Sequence, residues 1–360
     1  MARESPVLGF LETIGAHRGE RRGLDVAAHY GDPAWEYEAV RRSAGIIDRA
    51  GAGAVRVRGA DRAAFLENML TNGVKDLAPG EGRWNALLSP TGKFISLFRL
   101  IAFPESFLVL ADRDASDALV RGLDPFLILE DVEIEDESAL WGIVHVAGPE
   151  SGRLLASLAG TPIPHIPPAH HRPISLPGVP APIHAVRECI TGEDGFDLLA
   201  PAEHLASVWR VLLGHGAPKP RPVGDDALEI LRTEAGTLLF GVDIGPALSP
   251  IEAGLDSVVS FRKGCFPGQE AVAKTHVRGK PPKRLVGLVI EGDRAPGPGA
   301  PVLAEGAEAG RITSAVRSRN PGAVIGFAVI RAAVLEKGSP LSVRVGEALR
   351  GARAAETPFR

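Results

Sequence analysis

The order of elements in this chain predicts an α+β fold closed by a small C-terminal β-barrel. Two observations carry that reading. A strand, a glycine and a helix follow one another over residues 55–70, and the same order returns over 141–158. This reads as a duplicated α+β unit with an internal boundary near 140. After Pro281-Pro282, short apolar segments recur between glycine and proline turns with no helix between them. That is the pattern of a small closed barrel. The domain boundary falls near 278–284, giving an α+β region over 1–280 and a barrel over 281–360.

The elements follow in order. Trp35, Tyr37, Val40, Ala44, Ile46 and Ile47 suggest a helix leading into a short apolar segment. Val55, Val57 and Gly59 give a strand running into a helix over 61–70, where Phe65, Leu66, Met69 and Leu70 recur at helical spacing. Segments 84–88, 94–102 and 107–111 read as three sheet strands, with Ser89-Pro90-Thr91-Gly92 as one of the turns. A helix over 116–127 and a strand over 131–135 complete the first unit. The second opens with the apolar strand 141–147, then Gly148-Pro149 and a helix over 150–158. Residues 161–183 are rich in proline and histidine and read as a loop with one strand. Helices follow over 202–213 and 225–236. In the barrel, strands are expected at 285–290, 301–303, 310–316, 323–330 and 341–345.

Composition narrows the function. The 360 residues are 45% hydrophobic and 23% charged, as in globular proteins able to bury a full core. A formal net charge of −4 argues against a general nucleic-acid binder, so no direct DNA binding is expected. Two cysteines, Cys189 and Cys265, make no disulfide framework and suit a reducing compartment. No apolar stretch approaches the roughly 20 residues of a transmembrane helix, and no signal peptide is evident. The expected location is cytoplasmic, away from membranes.

The most informative segment is Lys263-Gly264-Cys265-Phe266-Pro267-Gly268-Gln269-Glu270. Gly264, Pro267 and Gly268 suggest a fixed bend. A thiol on such a bend, behind Arg262 and Lys263, has cations that favour the thiolate. Two readings are open for Cys265: a functional thiol, with Lys263 beside it as a catalytic group, or a buried structural cysteine. Lys274, His276, Arg278, Lys280, Lys283 and Arg284 form a basic run beside the loop. It is either a solvated hinge or an attractor for a polyanion. His170-His171 lacks nearby partners, and no metal site is expected.

Three further segments join the cysteine loop in one order. They are Thr191-Gly-Glu-Asp-Gly-Phe-Asp-Leu198, Ala227-Leu-Glu-Ile-Leu-Arg-Thr-Glu-Ala-Gly236 and Pro250-Ile-Glu-Ala-Gly-Leu255. Together they resemble the tetrahydrofolate-binding aminomethyltransferase fold of the glycine-cleavage T-protein, over roughly residues 35–335. The loop, continuing into Ala273-Lys-Thr-His-Val-Arg-Gly-Lys280, looks specifically like the YgfZ branch. The resemblance implies two α+β halves, ferredoxin-like or T-protein-like, and a barrel packed as a ring around a folate-sized cavity. The YgfZ likeness implies a folate-binding protein that supports assembly or repair of iron–sulfur clusters, and through them tRNA modification. It also implies iron–sulfur client proteins as partners and Cys265 as a functional thiol, including as a transient cluster ligand.

The family's site residues carry over unevenly. An aspartate needed for methylene transfer is expected in the stretch Gly92-Lys-Phe-Ile-Ser-Leu-Phe98, but Ser96 and Leu97 stand there. Neither serves as a carboxylate base, which argues against aminomethyltransferase activity. Asp197 matches the acidic residue that grips the pterin, where a carboxylate can accept paired N–H donors. Leu228 replaces an arginine contact, and Arg232, one turn on, either substitutes for it or pairs with Glu229 or Glu234. Trp84 matches an aromatic position that stacks on the pterin, and simple core is the other reading open for it. Three functions are therefore open: a folate-binding iron–sulfur accessory protein, a folate-dependent aminomethyl- or methyltransferase, and an adaptor that has lost the ligand.

Overall fold

The computed structural model describes residues 3–359. Its first antiparallel sheet has five strands, in the order Gly82–Leu88, Phe94–Phe103, Ser106–Asp112, Ala52–Arg58 and Glu133–Asp136. Helices Arg62–Met69 and Arg113–Leu123 cover one face, burying Phe65, Leu66, Leu119 and Leu123 against Val55, Val57, Phe98 and Leu100. The ten-residue strand Phe94–Phe103 is apolar almost throughout because both of its faces are covered.

A second sheet has six strands: His171–Ile174, Ile183–Arg187, Gly195–Pro201, Trp141–Ala147, Gly45–Asp48 and Arg221–Val223. All pairs are antiparallel except the last. Strand Gly45–Asp48 comes from the start of the chain yet lies deep in this sheet, so the two units are intertwined rather than cut at one point. It reaches this place from helix Pro33–Arg42. Pro33 opens that helix with its φ already set, and Asp32 caps it by accepting the Ala34 N–H at 2.8 Å.

The two sheets meet face to face. Ala54, Ile101, Leu108 and Leu110 of the first pack on Ile143, Val186 and Leu199 of the second. At roughly 25 cal/mol per Å² of apolar surface, such contacts are the main force holding the two units together.

The third body is a closed barrel in the order Lys283–Ile290, Val324–Arg331, Ala307–Arg317, Pro301–Ala304, Leu341–Val345 and Ala348–Ala355. Closure leaves no unpaired edge. The last strand escapes sequence reading because Ala348–Ala355 is largely exposed and shows no clean apolar alternation. The chain also carries a hairpin that periodicity did not reveal, His17–Arg21 with Leu24–His29, joined edgewise by Arg3–Glu4. This hairpin closes one side of a cavity between the two sheets.

Candidate functional site

Strand alternation sets the cavity wall. In Phe94–Phe103, Leu97 and Arg99 line the cavity. Ser96 points the other way, fully buried, and its hydroxyl donates to the Ala115 carbonyl at 2.7 Å. The stretch expected to hold a carboxylate thus presents an isobutyl group and a guanidinium to the cavity. Trp84, from the neighbouring strand, also lines it and is 38% exposed, so its ring is not core. The Arg99 guanidinium lies 5.9 Å from the Trp84 ring centre.

Arg99 is the centre of a buried ionic network. It donates to Asp197 at 2.5 Å and pairs with Glu188 at 3.0 Å. His145 Nδ1 is 2.8 Å from the other Asp197 oxygen, since His145 and Asp197 face each other across adjacent strands. Arg49 approaches the same carboxylate at 3.9 Å. Burial alone would raise the Asp197 pKa, but the Arg99 charge and the His145 hydrogen bond hold it well below the usual carboxylate range. The expected grip of Asp197 on a pterin therefore meets a carboxylate whose two oxygens are already engaged and which is fully buried. Of this network, Arg99, Glu188 and Arg49 line the cavity.

A second group of charges lines the same cavity. Asp48 ends strand Gly45–Asp48, and Asp225 opens helix Asp225–Ala235. Arg21 lies 3.4 Å from Asp225, and Arg22 lines the cavity beside it. Burial pushes the Asp48 carboxyl up to about 7 and Asp225 to about 6, with the Asp225 charge adding to the Asp48 shift and the Glu229 charge to that of Asp225.

Arg232 also borders the cavity, but its donors are engaged. They bind Glu229 at 2.6 Å, Asp243 at 3.0 Å and the Thr237 carbonyl at 3.2 Å. Its role is an ion pair with Glu229 and Asp243, whereas Glu234 pairs with Arg41 and Tyr37. Leu228 lines the cavity where an arginine was expected.

The cysteine loop lies elsewhere. Cys265 is exposed and free and does not line the cavity. Gly264 is also exposed, with open space where a Cβ would sit, so no close approach requires it. Lys263 is engaged by a neighbouring helix. Its buried ammonium takes the Glu67 carbonyl and, at 2.6 Å, the Leu70 carbonyl, closing the C-terminal end of helix Arg62–Met69. Phe266 is buried in the core, and Gln269 and Glu270 begin helix Gln269–Arg278. Gly268 has φ +79°, and a Cβ there would meet the Ser89 carbonyl at 2.4 Å and Gly92 at 2.9 Å. The motif is thus a packing joint between this loop and the 89–92 turn. The basic run lies along helix Gln269–Arg278 and the hinge into the barrel. His171 is held by the Ala102 carbonyl and His184. Among the described residues, no three His, Cys, Asp or Glu side chains are grouped to hold a metal ion, and no helix is long and apolar enough to cross a membrane.

Sequence reading missed Asp48, Arg49, Arg99, Glu188 and Asp225. Arg99 carried a signal, as the single charge inside a ten-residue apolar strand, where an ion is buried only with a partner.

The GCVT N-terminal domain matches residues 8–263, and the glycine cleavage T-protein C-terminal barrel domain matches 283–360. The aminomethyltransferase of Streptomyces coelicolor is 33% identical, over 94% of this chain and 91% of its own. That of Cutibacterium acnes is 30% identical over 99% and 98%, and that of Geobacillus kaustophilus 30% over 100% and 99%. The solved aminomethyltransferase T of the glycine cleavage system from Bartonella henselae superposes with a TM-score of 0.88, covering 100% of this chain and 98% of that one at 22% identity. It shares the fold. These relatives overturn the YgfZ assignment and, with it, the iron–sulfur accessory role, the cluster clients and the link to tRNA modification. The assignment rested on one local segment, residues 263–280, whereas the likeness to aminomethyltransferases runs over almost the whole length. This chain belongs to the GCVT family, with the glycine cleavage T-protein barrel as its C-terminal domain.

Proposed function

We propose that this chain is a folate-dependent aminomethyl- or methyltransferase that binds a tetrahydrofolate in the cavity between its two sheets. The observation that carries the reading is the cavity wall. It joins the exposed face of Trp84 to buried polar atoms that make no hydrogen bond, Arg49 Nη1 and Asp48 Oδ2. A pterin offers a flat ring to stack, together with donors and acceptors along one edge, and such a wall suits both. Glu188 lines the cavity with a side chain 14% exposed, and takes the place next to the pterin edge that Asp197 cannot. Bound there, a tetrahydrofolate supplies the amine that accepts the one-carbon unit.

The residues of the chain do the rest. Trp84 and Leu97 shield the reacting groups from water. Arg99, fixed by Asp197 and Glu188, keeps its plane under Trp84 and orients the ligand. The full-length likeness to enzymes named aminomethyltransferase supports the same reading. Two free, exposed cysteines fit work in a reducing cytoplasm.

The test is single-turnover transfer from an aminomethyl donor to tetrahydrofolate, with the folate product separated and identified. Formation of one-carbon folate at a rate that depends on enzyme supports the proposal. Tight folate binding with no transfer from aminomethyl or N-methyl donors would leave a binding protein instead.

A further inference from the structure

Asp48 is a half-buried titratable group with no part in the Arg99 network. It stands at the end of strand Gly45–Asp48, on the cavity wall next to Arg49. Ser5 engages its carboxyl by a side-chain hydrogen bond, yet Oδ2 is shut off from bulk water with no hydrogen-bond partner. A buried carboxylate oxygen without a donor is costly, so this atom is stable only when it carries a proton or meets a ligand N–H. Position 97, one of the two where a carboxylate was expected, faces the same cavity as leucine.

We infer that Asp48 Oδ2 is the proton-carrying group of this cavity, and that it replaces the carboxylate missing from strand Phe94–Phe103. The inference rests on the transferase reading above. The neutral carboxyl donates its proton to the amine nitrogen of the one-carbon donor. The Oδ2–H bond breaks and an N–H bond forms on that nitrogen, which leaves as the neutral amine when its bond to the one-carbon unit breaks and the folate nitrogen bonds to that carbon; the proton shed by the folate nitrogen returns to the carboxylate. Groups facing Asp48 set its proton affinity. Arg49 favours the carboxylate, and Asp225 opposes it from helix Asp225–Ala235. Tyr30 lies close enough to feel the Asp48 charge, and its hydroxyl is likewise buried without a partner. Arg21 and Arg22 from the hairpin partly neutralise Asp225. Because this balance leaves the carboxyl titrating near neutrality, it suits a proton donor.

The test compares wild type with Asp48→Asn and Asp48→Glu by three readouts: tetrahydrofolate affinity, the pH–rate profile of transfer, and the pH dependence of carboxyl C=O absorption in infrared difference spectra without ligand. Asp48→Asn is nearly isosteric with the neutral carboxyl and should fold. The expected result is folate affinity within about threefold of wild type and transfer slowed about 100-fold or more. The limb of the pH profile near neutrality and the carboxyl band that titrates there should both disappear. Asp48→Glu should restore part of the rate with a displaced limb. An Asp48→Asn enzyme that transfers at the wild-type rate, or keeps the neutral-pH carboxyl band, would overturn the assignment and leave the transferase reading intact. Wild type that binds folate but transfers nothing would remove both.

Discussion

Asp197, behind the cavity wall, and Asp48, on it, show how neighbours set the charge states of two carboxyls. Asp197 stays ionised because Arg99 and His145 both reach it. Arg99→Met removes the main counter-charge and leaves a fully buried anion, so it should cost about 3–5 kcal/mol in chemical denaturation. Asp48 lacks such partners. Its carboxyl is raised from 3.8 to about 7 in the folded protein, so the folded state holds the proton more tightly than the unfolded chain does. The stability tied to this group is therefore full below about pH 4 and is lost as pH rises to about 7. At roughly 1.4 kcal/mol per pH unit, the loss is bounded at about 4 kcal/mol. Asp48→Asn cannot ionise and escapes that loss. It should melt above wild type at pH 8, with the gap closing toward pH 4. A gap that stays constant with pH would count against a raised Asp48 carboxyl. Neither state was legible in the sequence, because both depend on residues brought together from distant segments.

Single elements were the most legible level. The strand over 94–102 and the helices over 150–158 and 225–236 appear within a few residues of their expected ends, as Phe94–Phe103, Ser151–Ala159 and Asp225–Ala235. Their apolar periodicity reports burial directly. The N-terminal hairpin was not legible, since His17–Arg21 is polar and mostly exposed. The cysteine loop was misread for a related reason. Its glycines signal a constrained backbone but do not say whether the constraint serves a thiol or a packing joint. The joint reading makes its own prediction. Gly268→Ala places a Cβ against the Ser89 carbonyl at a positive φ and should destabilise the fold by about 1–3 kcal/mol, whereas Cys265→Ser should change stability by less than about 0.5 kcal/mol. Thermal melts of the two variants separate these outcomes.

At the scale of the whole molecule, buried carboxylates tie the barrel to the α+β body. Asp243 accepts from Arg232 on one side and from Thr313 and Ser314 of the barrel on the other, at 2.7 and 2.6 Å. Glu234 joins Tyr37 and Arg41 to Ser318 in the same manner. Asp243→Ala leaves Arg232 without its buried partner and should cost about 3–5 kcal/mol. Amide exchange should accelerate first in strand Ala307–Arg317. The barrel and the family were legible from the sequence, because turn spacing and ordered motifs survive divergence. The branch and the cavity chemistry were not, because one local segment outweighed a likeness spread over almost the whole chain. The central claim is that the cavity, and not the cysteine loop, is the functional site. The most direct measurement is anaerobic calorimetry of tetrahydrofolate with wild type, Trp84→Ala and Cys265→Ser. Saturable binding is expected, weakened by about 1–3 kcal/mol in Trp84→Ala and unchanged in Cys265→Ser. No binding by folded wild type, or loss of binding only in Cys265→Ser, would contradict that claim.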